Sequence, residues 1–120
     1  MKQYLCILLI TSFLFPQLAS NINSGYNNTS IENVINNSSD GDTIFLYNGN
    51  YAQNYIDINN FNGLTIVSES WLDSGSSSGV IINTGGFQGF LFNNSQNIHI
   101  IGLTVTNVAQ AFKTTGTGTA

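Results

Sequence analysis

The chain has 120 residues, of which 42% are hydrophobic and only 7% charged, against roughly a quarter charged in ordinary domains; its surface must therefore be polar through Asn, Ser, Thr and Gly rather than ionic. The formal charge is -4, and the only basic residues are Lys2 and Lys113, which argues against a nucleic-acid partner because neutralising phosphates requires clustered cations. A single cysteine, Cys6, excludes an internal disulfide framework and a cysteine-based metal site.

Residues 1–20 have the layout of a secretory signal. Lys2 supplies a positive start, Tyr4 to Phe15 is an apolar run too short to cross a bilayer comfortably, Pro16 breaks it, and Leu18-Ala19-Ser20 offers small residues for a cut after Ser20 or Ala19. The competing interpretation is a buried first strand or helix. The signal implies a secreted or cell-surface location and leaves no membrane span after cleavage. Residues 21–29 are polar and read as a loose linker.

Thr29 and Glu32 have capping-box spacing, and Ile31, Val34 and Ile35 form one apolar stripe, so a short helix is expected from about residue 30 to 39. Asp40-Gly41-Asp42 is a turn signal. From Thr43 the period changes to two. Strands are expected at Thr43 to Tyr47, Tyr55 to Ile58, Leu64 to Val67, Val80 to Ile82, Gly89 to Phe92, Ile98 to Ile101 and Leu103 to Thr106, each bounded by Asn, Gly or Ser. Ser70 to Gly79, rich in Gly and Ser, reads as an excursion loop. The segment Ile58-Asn59-Asn60 with Leu64-Thr65-Ile66 is echoed by Phe92-Asn93-Asn94 with Ile98-His99-Ile100, at a constant offset of 34 residues. Such an internal repeat points to stacked like units, with Asn and Gly at the corners because they tolerate left-handed backbone.

The run SIENVINNSSDGDTIFLYNGNY, with LTIVSES, VIIN and NIHIIGLTVTN after it, resembles the pectin-lyase-like superfamily of right-handed parallel β-helix proteins. The resemblance implies an all-β fold: a right-handed parallel β-helix solenoid with a short N-terminal capping helix, its cap and first coils occupying residues 30–120. It also implies a truncated solenoid, since about two coils are present and at least three repeats are normally needed. The superfamily holds lyases, hydrolases, epimerases and adhesins, so the resemblance speaks to fold more than to activity. A small antiparallel sandwich complete in itself is the competing architecture.

Chemistry is sparse. The acids Glu32, Asp40, Asp42, Asp57, Glu69 and Asp73 form no same-strand pair of the kind sugar hydrolysis needs. Asp40 and Asp42 flank a glycine and can share a calcium ion or, alternatively, shape a turn and cap backbone amides. His99 alternates with Ile98 and Ile100 and should point outward, as a ligand-contacting or merely solvated residue. Among Tyr47, Tyr51, Tyr55, Phe61, Trp71 and Phe87, Trp71 is the best candidate to stack on a sugar ring; the others are expected over the corners of the fold. Asn27, Asn28, Asn36, Asn37 and Asn93 begin N-glycosylation sequons. The expected function is the N-terminal part of an exported, adhesin-like surface protein that contacts a polysaccharide or cell-surface glycan and is non-catalytic here. The alternative is the N-terminal part of a polysaccharide lyase or glycoside hydrolase with its site further along the chain.

Overall fold

A computed structural model describes residues 17–115. Eleven strands and two short helices follow one another: β1 (Ala19–Asn21), β2 (Asn27–Asn28), α1 (Ile31–Asn36), β3 (Asp42–Leu46), β4 (Gly49–Tyr51), β5 (Ile56–Asn59), β6 (Asn62–Ser68), α2 (Glu69–Ser74), β7 (Val80–Asn83), β8 (Gln88–Asn93), β9 (Gln96–Ile101), β10 (Thr104–Thr106) and β11 (Gln110–Thr115). They form three separate sheets. The largest has the order β2-β1-β3-β6-β9, and the others are β10-β7-β4 and β11-β8-β5.

Alternation along each strand decides which side chains enter the core. In the five-stranded sheet, Ile44 pairs with Ile66 and Ile66 with Ile100, while Leu64 pairs with Ile98. Ile56 and Ile58 of β5 lie beside Phe90 and Phe92 of β8, and Tyr51 of β4 beside Ile82 of β7. These side chains, with Ile31, Val34 and Ile35 of α1, belong to one apolar cluster or pack against it. The segments that repeat in sequence are thus parallel neighbours in register, Asn59 opposite Asn93 and Thr65 opposite His99.

The turns between strands need backbone that ordinary L-residues avoid. Asn60, Asn94 and Asn107 occupy it with φ of 62°, 50° and 49°, and so does Asn97, the second residue of β9, with φ of 58°. Their side chains then bond from one layer to the next: Asn94 Nδ2 donates to Asn60 Oδ1 at 3.0 Å, Asn97 Nδ2 to Asn62 Oδ1 at 2.9 Å, and Asn107 Nδ2 to Asn83 Oδ1 at 3.3 Å. Ser95, fully buried, satisfies the corner beneath them. Its Oγ accepts the Phe61 N–H at 3.0 Å and lies 3.0 Å from the Ile58 carbonyl oxygen.

The all-β class stands, but the solenoid and its capping helix are corrected. The described residues make three separate sheets, one of them mixed, and not a solenoid closed by a cap. What lies on the outer edge of β3 is β1, antiparallel to it, with β2 antiparallel to β1 in turn. This strand pair comes from the stretch expected to be partly signal and partly loose linker. The physical reason is edge satisfaction: β3 would otherwise present unpaired N–H and C=O groups, and Ala19–Asn21 supplies their partners. Helix α1 is a side element packed against β1 and β5. Its N-cap is Ser30, not Thr29: the Ser30 hydroxyl accepts from the Asn33 N–H at 3.2 Å, and Gln53 Oε1 accepts the Ile31 N–H at 2.9 Å. The expected signal core, Tyr4 to Phe15, lies outside the described residues.

Replacing Ser95 by Ala strands the buried Phe61 N–H. The expected loss is about 1–3 kcal/mol, read as a lower urea midpoint, whereas Thr65→Ala on the outward side of β6 should change it by under about 0.5 kcal/mol.

Candidate functional site

The outward side of the five-stranded sheet carries the candidate surface. Thr43, Thr65 and His99 stand opposite one another across β3, β6 and β9, and two residues further along so do Phe45, Val67 and Ile101. His99 is exposed, as its alternation with isoleucines predicts. Phe45 meets Tyr47 edge-on with ring centroids 4.8 Å apart. Val67 is buried although it belongs to the outward row and stands apart from the main apolar cluster. The surface is thus half hydroxyl and imidazole, half apolar.

Trp71 lies on α2, which follows β6 directly. Ser68, the last residue of β6, is the N-cap: its buried Oγ accepts the Trp71 N–H at 3.1 Å and donates to the Gly102 carbonyl. Gly75, with φ of 69°, ends the helix, its N–H reaching the Trp71 carbonyl at 2.8 Å. Glu69 Oε1 accepts the Asn48 N–H at 2.9 Å and ties α2 to the turn after β3. The stretch Ser70 to Gly79 is therefore not wholly the loop expected, because its first half is helical. A Ser before an acidic first turn and a Gly at the C-terminal end were the signals that mark it. Trp71 remains 44% exposed and Leu72 62%. Gly102, with φ of 74°, follows the end of β9, and a side chain there would run into Trp71 Cγ at 2.7 Å and Ser68 Oγ at 2.8 Å. The indole is held by a close backbone approach at the corner that follows His99 and Ile101.

Asp40 and Asp42 are not part of this surface. Asp42 Oδ2 accepts from Asn21 Nδ2 at 2.8 Å and from the Ser39 N–H at 2.9 Å. Asp40 Oδ1 accepts the Asn62 N–H at 3.0 Å. These oxygens are committed to N–H donors, a poor environment for a calcium ion, which takes six to eight oxygen ligands. Among the described residues no three His, Cys, Asp or Glu side chains gather as a metal set. The geometry is that of a shaped turn. The Asn21 amide, and after it the Ser39 N–H, holds the Asp42 carboxyl below its ordinary 3.8.

The other aromatics divide. Tyr51 is buried, its hydroxyl directed at the Leu18 and Tyr47 carbonyls, and burial pushes its pKa up to about 12. Phe61 packs against the core. Tyr55 and Phe87 stay exposed and lie 5.7 Å apart in a tilted pair. Tyr55 has φ of 48°, a left-handed conformation costly for a bulky residue. Sequence patterning cannot reveal that pairing, because it depends on β5 and β8 being neighbours. No family model, curated protein or solved structure matches the chain, so the β-helix resemblance gains no support from relatives.

Gly102→Ala should destabilise the fold by about 2–4 kcal/mol, from left-handed strain plus overpacking against Trp71, with a red shift of the indole emission as Trp71 is displaced. A group with a depressed folded pKa contributes stability that is present above its unfolded value and lost as pH falls through the folded one. The melting temperature should therefore drop on acidification below 3.8, and Asp42→Asn should flatten that part of the profile.

Proposed function

We propose that this chain is part of an exported, adhesin-like surface protein, and that the outward side of the five-stranded sheet contacts neutral glycans without catalysing a reaction in this segment. The single observation that carries the reading is Trp71. It is the chain's only tryptophan, is 44% exposed, and sits on α2 against Ser68 and Gly102, at the ends of the β6 and β9 strands that carry Thr65 and His99. A flat indole offers a sugar ring apolar C–H contact, and neighbouring hydroxyl and imidazole groups can bond its hydroxyls. The low charge suits neutral sugars better than uronates, which would need cationic partners. Export is supported by the apolar Tyr4 to Phe15 run behind Lys2.

The test is an array of immobilised neutral glycans probed with the full chain, with the intrinsic tryptophan emission as a second readout. Trp71→Ala should weaken binding about five- to tenfold, the worth of one aromatic contact, and His99→Ala by less. If the wild-type chain binds no member of the array, or if Trp71→Ala binds as well as wild type, the glycan reading fails.

A further inference from the structure

The small residues that invite a signal-peptidase cut are built into the folded domain. Ala19, Ser20 and Asn21 of β1 lie between β2 and β3, with Ala19 opposite both Leu46 and Asn28. Ala19 is fully buried and belongs to the main apolar cluster. The Leu18 carbonyl accepts the Tyr47 N–H at 3.0 Å and lies 3.0 Å from the Tyr51 hydroxyl. Asn21 is also fully buried and is a hub. Its Nδ2 donates to Asp42 Oδ2 and Ser38 Oγ, both at 2.8 Å, and its Oδ1 accepts the N–H groups of Asn23 and Ser24 at 2.8 and 3.0 Å.

A cut after Ser20 would have three consequences. It would remove the strand that pairs the outer edge of β3, leaving backbone donors such as the Tyr47 N–H without their partner. It would take Ala19 out of the core. It would also place a new ammonium on Asn21, a residue with no solvent access, where desolvation opposes the charge. A cut after Ala19 would likewise take away the Leu18 carbonyl that the Tyr47 N–H needs and remove Ala19 from the core.

We propose that the mature domain retains Leu18–Asn21, and that the processing cut lies on the N-terminal side of Leu18. The inference rests on the exported reading and names its processing site. The reaction is hydrolysis by the export machinery's signal peptidase: one water adds across the scissile amide, leaving a carboxylate on the leader and an amine on the domain. The pattern of small residues at Leu18-Ala19-Ser20 is then explained by packing. Ala19 is fully buried in the apolar cluster, and Ser20, opposite Phe45 and Asn27, is a half-buried strand residue.

The experiment is to express the full chain in a secreting host and read the N-terminus of the exported protein by intact mass and terminal sequencing. A cut chain whose first residue is Leu18 or an earlier one is the expected result, and an exported chain that still begins at Met1 overturns the inference. A first residue at Ala19, Ser20 or Asn21 overturns the inference while leaving export intact. The second measurement is the melting temperature of full-chain Ala19→Val. If Ala19 stays in the core, overpacking should lower it by about 4 °C or more; if the residue has been discarded, the exported variant has the mass and melting temperature of wild type, which overturns the inference. An uncut chain retained inside the cell overturns the exported reading, and the Ala19→Val melt then decides the placement of β1 by itself.

Discussion

Parallel, in-register pairing of β3, β6 and β9 is the interaction on which the remainder of the molecule depends. Once Ile44, Ile66 and Ile100 form one inward row, every intervening residue has its direction assigned, because a slip of one position would turn the whole row to solvent. The turns must then fall at matching places, and Asn side chains at left-handed positions allow each turn to bond the one beside it. Extra chain is tolerated only between strands. The α2 helix and the residues after it are inserted between β6 and β7, where they lengthen the path without disturbing any register.

The consequence for the surface is a division of labour between the two sides of one sheet. Inward positions are spent on a single apolar cluster. Outward positions are free, and they carry hydroxyls, an imidazole and a short apolar row in place of charges. Trp71 stands at the end of the sheet because Ser68 both caps α2 and bonds the Gly102 carbonyl, so one hydroxyl couples the helix to the end of β9. The Asp40 and Asp42 carboxylates accept hydrogen bonds that hold the turn before β3.

Much of the strand content was legible from period-two alternation, and Ile58-Asn59-Asn60 with its echo at Phe92-Asn93-Asn94 revealed which strands would be neighbours. The outward direction of His99 followed from the isoleucines on either side. What escaped was whatever depends on partners distant in sequence. β4 has only Gly49, Asn50 and Tyr51, too few residues to show a period, and exists because β7 lies beside it. β1 reads as the end of a leader because small residues after an apolar run suit a leader's end as well as the packed strand edge that Ala19 and Ser20 form. The short helix was legible from its apolar stripe, but its capping role and the solenoid were inferred from the internal repeat together with the resemblance, and the three separate sheets with an antiparallel edge replace them. The turn-shaping role of Asp42 was visible as an alternative, but its partner Asn21 was not, since the two are 21 residues apart.

The spacing of those ladders also bears on how the chain reaches its native state. Cross-layer partners such as Asp40 and Asn62, or Asn60 and Asn94, are 22 and 34 residues apart, so each pairing closes a long loop before any contact repays the lost entropy. Topologies of this kind fold in the millisecond-to-second range, far behind helical domains of equal size. During that interval segments such as Val80 to Ile82 are β-prone and uncharged, and a chain with 7% charged residues has little electrostatic repulsion to keep copies apart. The wide spacing of its partners therefore leaves the unfolded chain both slow to close and open to association with its own copies.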